Sequence, residues 1–260
     1  MYILELIYPG TWLVINDPEE RREVESLLTI IESQFTEASI ALNLFELEQQ
    51  KPFIRPDPMA WSEDDLRRRE IAERIIQEEK IDWRVISQNA EVQDRIELEL
   101  RREKWKRGQL PHEYQHHFPF LYAKLFLFAL DSIRKCLFVL DKQADRPEEI
   151  HLAKLSFDDA FPDLRGVRDS TAHQEDRGRG LGKREKPLEK KPVVNYGIHA
   201  PNGGVLVLNF LNGNRFGSTM EDGYFGEVEV SINSLLIVRD CIQRIINSFE
   251  WHGPKRFYPI

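Results

Sequence analysis

The order of apolar and polar positions divides the chain into long helical stretches, followed late in the sequence by a short β-rich stretch. Asp17 and Pro18 form a cap-then-proline start, after which Val24, Leu27, Leu28, Ile31, Phe35, Ile40 and Leu44 recur at roughly helical spacing. This pattern predicts a first helix running to about Gln50. Three prolines in "KPFIRPDPM" predict a loop, and Ser62 opens a capping sequence into a second helix, "EDDLRRREIAERIIQEE". From Trp83 to Arg107 charge dominates, with Val92, Ile96 and Leu100 spaced for an exposed helix whose charges form a solvated face.

"FLYAKLFLFALDSIRKCLFVLDKQ" is apolar nearly all round in its first half, the pattern of a helix at the centre of a bundle. A further helix is predicted over about Pro147 to Phe161 and a closing one over Ile232 to Phe249. Between them, "GGVLVLNF", "RFGSTM" and "YFGEVEVS" are β-prone segments separated by the hairpin turns "NGN" and "EDG". The expected fold class is mainly α, a helical bundle with a small antiparallel β-sheet inserted before the C-terminal helix. It is read as a single domain, with a bundle core at 17–177, a mobile basic loop at 178–192, a hairpin insertion at 193–230 and a closing helix at 231–250.

Composition narrows the class. With 260 residues, 41% hydrophobic and 31% charged, the chain can bury a sizeable core and is not globally disordered. The start, "MYILELIYPGTWLVIND", carries Glu5 and no basic leader, and reads as a first strand instead of a signal peptide. The longest apolar run, Phe118 to Leu130, contains Pro119 and Lys124 and is too short to span a bilayer, so no membrane segment is expected. Cys136 and Cys241 lie in apolar helical patterns away from metal-ligand spacing, which fits buried, reduced thiols and a cytoplasmic location.

The net charge of -8 disfavours nucleic acid as a partner unless positive charge is concentrated locally. Such a concentration exists: from Arg165 to Lys191 there are nine basic residues against five acidic, a local balance of +4. It surrounds "VRDSTAHQEDRGRG", in which Arg168 precedes His173 by five positions. Residues five apart differ by about 140° on an ideal helix, so a shared site there needs a bend or a helix end. Asp169, Ser170 and Thr171, which compete with helical hydrogen bonds, make one plausible. Arginine offers a permanent cationic fork to phosphate, and histidine a proton near neutral pH. Together these suit RNA phosphodiester cleavage in which the 2′-hydroxyl is the nucleophile and neither metal nor cofactor is required. The same spacing at Arg107–His112 and Arg146–His151 falls in loop-to-helix entries.

"LRGVRDSTAH" at the end of a helical bundle resembles the motif of the HEPN superfamily, arginine and histidine separated by four to six residues with a polar residue after the arginine. The resemblance covers about Phe118 to Arg177. It implies an all-α core, a homodimer joining two motifs in one cleft, and metal-independent endoribonuclease activity of the kind found in toxins and antiphage effectors. His173 would be the general acid/base, Arg168 would stabilise phosphate charge, and Asp169 would orient them. Arg165, Arg177 and Arg179 are the candidates for contacting the RNA backbone. Some HEPN proteins are instead non-catalytic binding modules, so an adaptor that partners another protein, antitoxin-like or nucleotidyltransferase-like, stays open.

A third reading comes from "HEYQH". His112 and His116 match the H-E-x-x-H pattern of zinc hydrolases, with Glu113 as base. Pro111 and Pro119 flank it, and no third ligand follows in sequence, which sets it below the other two.

Overall fold

The computed structural model describes residues 1–51, 58–80, 82, 89–143, 147–195 and 197–259. Most of the proline-rich loop, the segment 83–88 and Arg146 of the second arginine–histidine match lie outside the described residues. The protein is mainly helical, with small antiparallel sheets, and it divides into two compact units, 1–49 with 119–260, and 50–118.

In the first unit, strands β1 (Leu6–Tyr8) and β2 (Trp12–Leu13) precede helix α1 (Pro18–Gln49). The Asp17 carboxylate accepts a hydrogen bond from the Glu19 amide at 2.9 Å and so satisfies one donor at the start of α1. The buried stripe of α1 follows Val24, Leu28, Ile31 and Phe35 as expected, then steps to Ala38, Leu42 and Phe45. Ile40, expected in the core, is exposed, because a step of five from Phe35 leaves the helix face that steps of three and four preserve.

The second unit holds helices α2 (Pro58–Glu79) and α3 (Ala90–Lys106). Ile71 and Ile75 of α2 pack with Val92, Ile96 and Leu100 of α3 in a core of their own. The charges beside it are not merely solvated. Arg67 bonds Glu103 at 2.7 Å through both Nε and Nη2, Arg95 reaches Glu79 at 2.7 Å, and Arg68–Glu97, Arg74–Glu99 and Lys104–Asp64 also bridge the two helices. Asn89 caps α3 by accepting from the amides of Glu91 and Val92.

Helix α4 (His112–Leu140) starts in the second unit and from Pro119 onward belongs to the first. Its residues Phe126, Leu127, Leu130, Ile133 and Leu137 enter the main core. Helices α5 (Glu148–Ala160), α6 (Leu164–Ala172) and α7 (Gln174–Gly178) follow. Then come strands β3 (Val193–Asn195), β4 (Ile198–Ala200), β5 (Phe210–Asn212), β6 (Arg215–Thr219) and β7 (Phe225–Glu229), and helix α8 (Ile232–Ser248), which packs on α5 and is capped by Ser231. The chain ends in β8 (Trp251–His252) and β9 (Arg256–Tyr258). These pair antiparallel with the opening strands, β9 with β1 and β8 with β2, so both ends of the chain meet. Gln243 of α8 holds the other edge of β1, its side-chain amide giving and accepting hydrogen bonds at Ile7.

The expected sheet is β5–β6–β7, closed by "NGN" and "EDG", with β3–β4 as a separate hairpin. Only Phe210 of "GGVLVLNF" enters a strand. The Val207 and Asn209 amides donate to the hydroxyls of Thr219 and Ser218 instead of to a backbone carbonyl, and Asn209 has a left-handed φ of 49°, which breaks the ladder. The basic segment 178–192 carries its own backbone pattern: Gly182 N–H bonds Lys186 O, Leu188 N–H bonds Gly180 O, and Lys191 N–H bonds Gly223 O. Among the described residues, no helix is long and apolar enough to cross a membrane.

Candidate functional site

The site is built on α6, a helix packed on β6 and β7. Close approach there depends on glycine: a Cβ on Gly166 of α6 would overlap the Met220 side chain, and one on Gly226 of β7 would lie 2.7 Å from Met220 Sδ and 2.9 Å from Asp163 Cβ. Asp163 in turn accepts a hydrogen bond from the Glu227 amide at 3.1 Å. The β insertion therefore buttresses the helix that carries the arginine.

Helix α6 stops at His173, whose φ and ψ of -112° and 50° are non-helical and whose amide still bonds Asp169 O at 3.0 Å. The hydroxyls before it are used as their chemistry predicts. Thr171 Oγ1 donates back to Val167 O at 2.8 Å, and Ser170 Oγ accepts from Arg177 Nε at 3.2 Å. The chain leaves the helix at His173.

Arg168 is largely buried, its side chain 17% exposed, between two carboxylates. Nη1 lies 2.7 Å from Asp169 Oδ1, and Nε lies 2.7 Å from Oδ2 of Asp131 on α4. The Nε–H is not aligned on that oxygen, so the second contact is Coulombic and not a linear hydrogen bond. Asp131 Oδ1 has no hydrogen-bond partner among the described residues. Lys135 Nζ, 2.8 Å from Asp131, and Arg165 Nε, 3.7 Å from Asp169, extend the row to three cations and two anions. This row keeps one positive charge in excess, on a face where Arg165 is mostly exposed.

His173 stands outside that row. Its side chain is 57% exposed and its Nδ1 is 3.6 Å from Glu175 Oε1. Among the described residues, no side-chain hydrogen bond or ion pair joins it to Arg168 or Asp169. Asp169 orients the arginine and not the imidazole. His173, Glu175 and Asp176 place one ligand atom each within 4.8 Å of one another, an exposed group whose Asp176 is also paired with Arg179 at 2.6 Å.

The three arginines proposed for the RNA backbone part company. Arg165 and Arg179 are exposed, each beside a carboxylate. Arg177 is 3% exposed, and its guanidinium is spent on Ser170 and on the Leu181 carbonyl, 2.7 Å away, so it fastens α7 and the following loop to α6. The residue the sequence reading missed is Asp131. Its signal was a lone acid inside the apolar run "FLFALDSIRK", which a buried carboxylate occupies only with a cation opposite.

At the other motif, His112 and His116 are exposed on the first turns of α4, and no third protein ligand converges on them among the described residues. Burial pushes the Cys136 thiol up and that of Cys241 up to about 11, so neither is an activated nucleophile. No protein-family model matches the chain, and neither curated proteins nor solved structures give a match.

Proposed function

We propose that the chain is a HEPN-like, metal-independent endoribonuclease. The observation that carries this reading is the placement of the motif. Helix α6 ends on His173, leaving the imidazole open to solvent, while Arg168 five residues earlier is fixed by Asp131 and Asp169 in a row with excess positive charge. In this reading a 2′-hydroxyl loses its proton to His173 as its oxygen attacks the adjacent phosphorus. The P–O bond to the 5′-oxygen breaks, the leaving oxygen takes a proton, and a 2′,3′-cyclic phosphate forms. Arg168 stabilises the charge building on the phosphate. A second copy of the chain completes the cleft with its own motif, and Arg165 and Arg179 follow the RNA backbone.

The test is cleavage of labelled RNA by purified protein with and without EDTA. Cleavage should survive the chelator, and His173→Ala should lose ~10² to 10⁴ in rate with its fold unchanged. Unaltered cleavage by that variant would sink the assignment. A second reading, a silent HEPN-like adaptor, draws on one observation: Arg168 already faces two carboxylates, which offset its charge before any phosphate arrives. Intact RNA after long incubation, with a protein partner co-purifying, would select it.

A further inference from the structure

The zinc-hydrolase motif is not absorbed by that reading, and its geometry supports a different role. His112 and His116 lie four apart on α4, their Nε2 atoms 2.9 Å from each other and their rings edge-on at 84°. At that distance one imidazole N–H donates to the other ring's lone pair. The neighbouring His117 takes no part: its Nδ1–H donates to the Glu113 carbonyl at 2.7 Å.

Metal–imidazole bonds are about 2.0–2.1 Å long, so two of them meeting at a right angle hold their nitrogens about 2.9 Å apart, whereas tetrahedral coordination separates them by about 3.3–3.4 Å. The pair therefore already has the edge length of a square-planar or tetragonal site. A shift of the shared proton to the donor ring's Nδ1, its other tautomer, and a turn of both rings direct the two Nε2 lone pairs at one ion. Both residues are exposed, so the remaining positions are open to water or to an outside ligand.

We propose that His112 and His116 form a two-imidazole chelating site for a tetragonal divalent transition cation, Cu2+ or Ni2+, separate from the arginine–histidine motif. The second imidazole binds intramolecularly, so the pair should hold the ion on the order of 10² or more tighter than either histidine alone.

The experiment titrates the untagged full-length protein with CuCl2 and with NiCl2, following heat and, for copper, the paramagnetic resonance spectrum. The expected result is one tight equivalent with an axial copper spectrum split by two nitrogens. His112→Ala and His116→Ala should each weaken it by the stated factor, while His117→Ala and His173→Ala leave it unchanged. Circular dichroism of each variant separates lost binding from lost folding. Tight binding that persists in His116→Ala, or that disappears in His173→Ala, overturns the proposal, as does the absence of any tight equivalent.

Discussion

Arg168 compensates the buried Asp131 carboxylate, and in the proposed reading it also faces the phosphate, so one substitution would remove both. Asp131 is almost fully buried on α4, and Arg168 and Lys135 supply its compensation. Removing one partner of a buried pair leaves an uncompensated charge, which costs about 3–5 kcal/mol, and Lys135 retains part of the offset here. Arg168→Ala should therefore lower the urea midpoint as well as any RNA cleavage, and Asp131→Asn in the same chain should restore much of the stability without restoring cleavage. If Arg168→Ala melts like the parent, the Asp131 pair is not a structural support. The arginine and the histidine were singled out from their residue types. The buried acid behind the arginine was not, because only packing brings position 131 to position 168.

At the scale of elements, the sequence pattern located most helices well, because steps of three and four along α1, α4 and α8 are a local property of the chain. Charge was read in part: the charges of 83–107 were expected to form a solvated face, and those of α3 are partly exposed but also pair with α2 across the two helices. This has a consequence in acid. The Arg67 and Arg95 guanidiniums hold the carboxyls of Glu103 and Glu79 below their ordinary value of 4.5. Carboxylates depressed in the folded state stabilise it fully above the ordinary value and lose that contribution as pH falls through the lowered one. Protection of α2 and α3 against hydrogen exchange should thus drop between pH 5 and pH 3, and Glu103→Gln should flatten the drop. An unchanged profile in that variant would rule the Arg67–Glu103 pair out as the cause. The opposite error befell "GGVLVLNF": β-prone residues did not make a strand, because the Val207 and Asn209 amides donate to side-chain hydroxyls of β6 and only the Thr219 amide bonds back to the Val207 carbonyl.

For the whole molecule, the bundle read at 17–177 separates into two units with cores of very different size. Among the described residues, five buried apolar side chains form the core of 50–118, whereas the first unit encloses a continuous core drawn from α1, α4, α5, α6, α8 and the sheet. Chains of this kind depart from two-state unfolding. In urea, amides of α2 and α3 should lose protection at lower concentration than those of α8 and the second half of α4. A single coincident transition would contradict the division. The sequence by itself located the long helices and the two hairpin turns and singled out the Arg168–His173 spacing, since all of these are set by neighbours a few residues apart. It placed the start of α2 at Ser62, inside a helix that begins at Pro58, and did not set off α6 and α7 as helices. Only the tertiary structure decided that Asp131 stands behind Arg168, that Arg177 is an internal fastener, that the β insertion supports α6, and that both chain ends pair. Each of these depends on contacts between residues far apart in sequence, where no local periodicity records the partner.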